Sequence, residues 1–106
     1  MAWYVYVSYF FGGAFLVNAV PHFVSGLCGR RFPTPFSKPP GKGESSPIVN
    51  VLWGAFNIFM GYLLVTRVRE GTLYFPNRIE AIMVAAGGLL MAVMLARAFG
   101  QVYGGK

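Results

Sequence analysis

Residues 46–66 read SPIVNVLWGAFNIFMGYLLVT, and no charged side chain interrupts them. The Ser46 hydroxyl can accept from the free amides of a helix start, and Pro47 suits the first helical turn, where its missing N–H costs nothing. About 20 residues of helix rise about 30 Å, the thickness of a bilayer's hydrocarbon core. The segment is read as a transmembrane helix from about Pro47 to Thr66.

Two further apolar runs flank it. The first extends from about Trp3 to Phe23, and no charged side chain precedes Arg30. Trp3, Tyr4, Tyr6 and Tyr9 crowd its start, as an interfacial aromatic belt does. Residues 2–10 lack the positive charge that opens a cleaved leader, so this run is read as a retained span. The third run covers about Arg78–Phe99. Asn77 with Glu80 three residues on makes a capping box, and Gly100 is read as the helix stop.

The connections differ in kind. Residues 24–46 are read as a long loop; its four prolines, Pro33, Pro35, Pro39 and Pro40, exclude a helix there. A short hairpin, 67–77, joins the second and third spans. The expected fold is all-α: one integral membrane domain over residues 1–106, a bundle of three transmembrane helices with a Pro-rich cytoplasmic loop between helices 1 and 2.

Composition agrees. The chain has 106 residues, 56% hydrophobic and only 11% charged. A soluble domain of this size buries roughly 60% of its unfolded surface and could not hide so much apolar area. Lipid removes that problem.

Net charge is +6, from nine Lys and Arg against three acids. The positive charges lie between apolar runs, which suits anionic headgroups and excludes a nucleic-acid surface. Arg30, Arg31, Lys38, Lys42, Arg97 and Lys106 lie on one side of the membrane under this topology; Arg67, Arg69 and Arg78 lie on the other. The positive-inside rule then places the long loop and the carboxyl terminus in the cytoplasm and the amino terminus outside. The single cysteine, Cys28, allows no intrachain disulfide and no cysteine-based metal site. It reads as a small hydrophobe at a membrane edge, or as a juxtamembrane acylation site.

Polar groups in lipid need partners. Asn50, Gly54, Asn57 and Gly61 are spaced 4, 3, 4 along the second span and share one helical face. Small residues there allow close helix approach, and the amides can bond across the interface. Ala81, Ala85, Gly88, Ala92 and Ala96 form a similar small-residue stripe on the third span. It is read as a packing surface for the second span or for another copy of the chain.

In the first span, Asn18 and His22 are four apart on one face, and Pro21 frees the carbonyl of Val17. Either side chain, or one from the second span, could satisfy that carbonyl. Counting about 1.5 Å of rise per residue puts Asn18 and Asn50 at similar depths, so Asn18, His22 and Asn50 are expected to cluster under the loop. A lone histidine is foremost a hydrogen-bonded structural residue; proton linkage and haem or metal ligation are the sharper readings. No metal or cofactor is expected.

In the loop, Arg30, Arg31, Lys38 and Lys42 alternate with Phe32 and Phe36, a pattern suited to anionic headgroups or a partner protein. The run Pro40–Ser46 is not a phosphate-binding loop, because Gly43 follows Lys42 and no strand precedes it. Catalysis is not expected. Glu44 is separated by the membrane from Glu70 and Glu80, and no Ser–His–acid, HExxH or CxxC arrangement is present.

The run Asn18-Ala19-Val20-Pro21-His22-Phe23-Val24-Ser25-Gly26, then Phe32-Pro33-Thr34-Pro35-Phe36 and Asn50-Val51-Leu52-Trp53-Gly54, resembles a family of small bacterial multi-pass membrane proteins. The likeness covers about the first half of the chain. It implies a bacterial inner membrane and carries no activity with it. The proline–glutamine motifs of the three-helix sugar transporters are absent. The expected role is a non-catalytic packing or accessory module, as a homo-oligomer or with a membrane-protein partner. The alternative is a small oligomeric transporter or channel with a path lined by Asn18, His22, Asn50 and Asn57.

Overall fold

The computed structural model describes residues 3–66 and 77–104. The fold is an all-α bundle of three helices: α1, Trp3–Leu27; α2, Pro47–Thr66; and α3, Arg78–Phe99. All three are long and apolar enough to cross a membrane. The expected hairpin positions Arg67, Arg69 and Glu70, and Lys106 at the carboxyl end, lie outside the described residues.

The central element is α1. Both α2 and α3 pack along it and hardly meet each other. The adjacent glycines of α1 divide the work. A Cβ on Gly12 would meet Val65 and Leu64 of α2, whereas one on Gly13 would overlap the backbone of Val84 in α3. On the facing helices, Gly54 lies against the backbone of Phe23, and Gly87 against that of Phe10. Such contacts suit a lipid setting, where packing and interhelical hydrogen bonds drive association.

Helix starts follow the sequence. The Ser46 hydroxyl accepts from the Val49 amide at 3.2 Å, ahead of Pro47. Asn77 and Glu80 form the reciprocal capping box, each accepting from the other's backbone at 2.9 Å.

Helix ends depart from it. The first helix runs through Pro21 to Leu27, four residues past the expected end at Phe23. It stops in a Schellman motif: Gly29 has φ +72°, Arg30 N–H donates to Ser25 O, and Gly29 N–H donates to Gly26 O. The third helix ends at Phe99 as expected, but its C-cap, Gly100, does not turn the chain out of a helical path. It adopts right-handed helical geometry, and the chain continues as a π-helical segment, Gly100–Gly104.

The loop between α1 and α2 is folded. Two short antiparallel strands, β1 (Phe32–Pro33) and β2 (Glu44–Ser45), pair Phe32 with Ser45 and Pro33 with Glu44. Buried Thr34 organises the turn between them. Its carbonyl accepts from the Gly41 amide at 2.9 Å and the Ser37 hydroxyl at 2.7 Å, while its hydroxyl bonds that of Ser45.

One expected packing surface is corrected. Of the stripe on α3, Gly88 is buried against α1, but Ala81, Ala85, Ala92 and Ala96 are exposed. The face of α3 that meets α1 is set by Glu80, Gly87 and Gly88, because Gly87 lies directly on the Phe10 backbone and Gly88 against the Val17 side chain. The stripe on α2 stands as read: Asn50, Gly54, Asn57 and Gly61 are all buried.

A hydrogen-bonded clamp and the cavity beside it

Two polar rungs join α1 to α2. In the first, Asn18 Nδ2 donates to Asn57 Oδ1 at 3.0 Å. Asn57 spends its own amide N–H on Trp53 O, one turn back, at 2.8 Å. Its carbonyl oxygen is thereby left for Asn18.

The second rung joins His22 Nδ1 to Asn50 Oδ1 at 3.0 Å. The Asn50 Nδ2 group faces three carbonyls, Phe32 O at 2.9 Å, Ser46 O at 3.1 Å and Ser45 O at 3.2 Å. Those acceptors fix the amide's orientation, so Oδ1 must point to the imidazole and accept from it. His22 Nδ1 therefore carries a proton. In the neutral ring, Nε2 keeps its lone pair.

Asn50 thus does two things. It holds His22 of α1, and through Phe32 and Ser45 it pins both strands of the loop to the start of α2. Asn50 is fully buried, Asn57 1% exposed and His22 3% exposed. In so dry a setting, truncating one member strands the other's polar groups. Ser8 adds a third tie, donating its hydroxyl to Leu64 O of α2.

The expected cluster of Asn18, His22 and Asn50 is partly corrected. His22 does meet Asn50, but Asn18 pairs with Asn57. The depth estimate placed the centre of the first span too early, because it ended the helix at Phe23. With the helix running to Leu27, its midpoint moves to about residue 15 and Asn18 lies only about 4–5 Å from it, within side-chain reach of Asn57 near the middle of α2. The hydrogen bonds of Asn18 and His22 go to α2 and not back to the carbonyl freed by Pro21.

Above His22 sits an aromatic layer absent from the sequence reading. Its ring makes edge contacts with Phe32 at 5.5 Å, Phe99 at 6.0 Å and Trp53 at 6.4 Å between centroids. Phe32 in turn packs on Phe99 at 4.6 Å and stacks on Tyr103 at 5.6 Å. The Tyr103 hydroxyl donates to the Glu44 carboxylate. The end of α3 is therefore fastened to the loop. Periodicity alone could not find this, since Phe99 and Tyr103 lie more than sixty residues from their partner Phe32.

Phe32 is accordingly corrected as a headgroup-facing residue. It turns inward, because Asn50 holds its carbonyl and Phe99 covers its ring. Phe36, by contrast, is 65% exposed and rests its edge on Trp53. Arg30, Arg31, Lys38 and Lys42 are exposed on the same end of the molecule. Tyr9, expected in the interfacial belt, is buried, whereas Trp3 and Tyr4 are exposed.

Beside the second rung lies a cavity of about 210 Å³, bounded by Asn18 and His22 of α1, Trp53 of α2, the loop at Pro33–Pro35, and Ala98 and Phe99 of α3. Asn50 and Asn57 do not border it. Among the described residues, no group of three His, Cys, Asp or Glu is placed to hold a metal. Compared with protein-family models, with curated proteins and with solved structures, the chain matches none.

Proposed function

We propose that this chain is a small integral protein of the cell inner (cytoplasmic) membrane, acting as a non-catalytic packing or accessory module. It self-associates or joins a larger membrane complex. The observation that carries this reading is the way the two buried amides of α2 are engaged in the clamp. The amides of Asn50 and Asn57 are spent inside the α1–α2 interface, which is how polar side chains serve helix packing in lipid. A transport path lined by Asn50 and Asn57 would have to break both rungs.

Charge supports an orientation. Arg30, Arg31, Lys38, Lys42 and Arg97 lie at the loop end of the bundle, and Arg78 lies at the other end among the described residues. The loop end faces the cytoplasm, where these cations meet anionic headgroups, and the amino terminus is outside. The exposed alanines of α3, Ala81, Ala85, Ala92 and Ala96, are the surface offered to a second copy or a partner helix.

Gentle extraction followed by native mass spectrometry tests the reading. It should give the chain in defined multiples or with a second membrane protein, retaining anionic phospholipid. A lone chain that passes ions or small solutes when reconstituted in liposomes would overturn it.

A further inference from the structure

We infer that the cavity beside His22 is a binding site for a small, largely apolar molecule with a hydroxyl donor, of the phenol or quinol class. The case starts from the imidazole. His22 Nδ1 donates to Asn50, so the neutral ring presents an acceptor at Nε2. That nitrogen has no hydrogen-bond partner among the described residues. It is also not one of the sealed, unpartnered polar atoms, although the residue as a whole is only 3% exposed. Nε2 therefore opens onto the cavity its ring borders.

Asn18 supplies a second acceptor. Its Nδ2 is engaged by Asn57, and its Oδ1 has no partner among the described residues. Two neutral acceptors at one wall of a pocket select a ligand that donates.

The remaining walls set the ligand's body. Phe99 and Pro33 are apolar, and Trp53 adds its ring, its own indole N–H being sealed and without a partner among the described residues; a mainly apolar pocket with a few placed polar groups is how small-molecule sites are built. Ala98 of α3 and Pro35 and Gly41 of the loop border the cavity and are exposed, so it opens between the end of α3 and the loop. A molecule arriving from the lipid reaches the site there. A cationic ligand is disfavoured, since Arg30, Arg31, Lys38, Lys42 and Arg97 crowd this end of the protein.

His22 is the chain's only histidine, so its ring nitrogens give one unambiguous ¹⁵N signal pair. The test titrates histidine-labelled protein in detergent micelles with p-cresol, and in parallel with 4-methylanisole, the same molecule with its hydroxyl methylated. Para-cresol should move the Nε2 resonance saturably in the direction of an accepted hydrogen bond. The ether should need at least about tenfold more for any effect, since a site built for a hydroxyl discriminates against its loss. Ala98→Trp, which fills the mouth and leaves both rungs intact, should abolish the response. Equal responses to the two probes, no movement of Nε2, or unchanged binding in Ala98→Trp would each overturn the assignment.

Discussion

The imidazole of His22 and the side-chain amide of Asn50 hydrogen-bond at 3.0 Å across the α1–α2 interface, and the same amide holds the carbonyls of Phe32 and Ser45. One residue therefore couples two helices to the loop that connects them. Its removal should be felt in all three places.

Asn50→Ala leaves the His22 N–H and the loop carbonyls without their partner. Stranding buried polar groups costs about 1–3 kcal/mol each, partly relieved by local rearrangement. The variant should lose about 2–3 kcal/mol of stability in detergent unfolding, and the loop should become open to protease near Lys38 and Lys42. A variant as stable and as protease-resistant as the parent would place the loop's anchor elsewhere.

The first rung should be worth less. Asn18 is half-buried, and interhelical hydrogen bonds in membrane proteins average about 0.6 kcal/mol, with about 1.7 at most. A double-mutant cycle of Asn18→Ala and Asn57→Ala should give a coupling in that range. Coupling near zero would mean that the two amides do not meet.

Cross-linking distinguishes the observed rungs from the simpler depth-matched cluster. In a Cys28→Ser background, cysteine pairs at 18 and 57 and at 22 and 50 should join under mild oxidation. A pair at 18 and 50 should lag well behind. Dominant 18–50 joining would restore the arrangement expected from sequence.

The glycine contacts make an asymmetric prediction on α3. Gly87→Leu drives a side chain into the backbone of Phe10 and should unseat α3 from α1. Ala92→Leu places the same side chain on an exposed face and should leave the monomer's fold intact. If the alanine stripe carries self-association, Ala92→Leu lowers the oligomer fraction in native mass spectrometry without altering the thermal transition.

Much of this architecture was legible from simple rules. Three apolar runs, the Ser46–Pro47 start and the Asn77–Glu80 box are local signals, and each appears where the sequence put it. The Asn50–Gly54–Asn57–Gly61 face was legible for the same reason, since helical periodicity fixes which residues share a side. What was hidden depended on partners distant in sequence. The apolar run placed the end of α1 near Phe23, but the helix carries Pro21 within it and finishes at the Gly29 motif. The pairing of Asn18 shifted with that end. The alanines of α3 obeyed the right spacing yet lost the contact to Gly87 and Gly88, because Gly87 admits the Phe10 backbone more closely than a methyl group allows. Phe32, Phe99 and Tyr103 carry no periodic signal at all, and only the folded loop brings them together.

The central claim is that the polar side chains of the membrane interior hold α1 against α2 and line no aqueous path. The most direct measurement is the reaction of Asn57→Cys, in a Cys28→Ser background and in native membranes, with a membrane-impermeant maleimide applied from each side. The parent's exposed Cys28 serves as the positive control. The account predicts that the thiol at 57 stays unmodified from both sides until detergent denaturation exposes it. Labelling at a rate comparable to Cys28 in the intact membrane would contradict it.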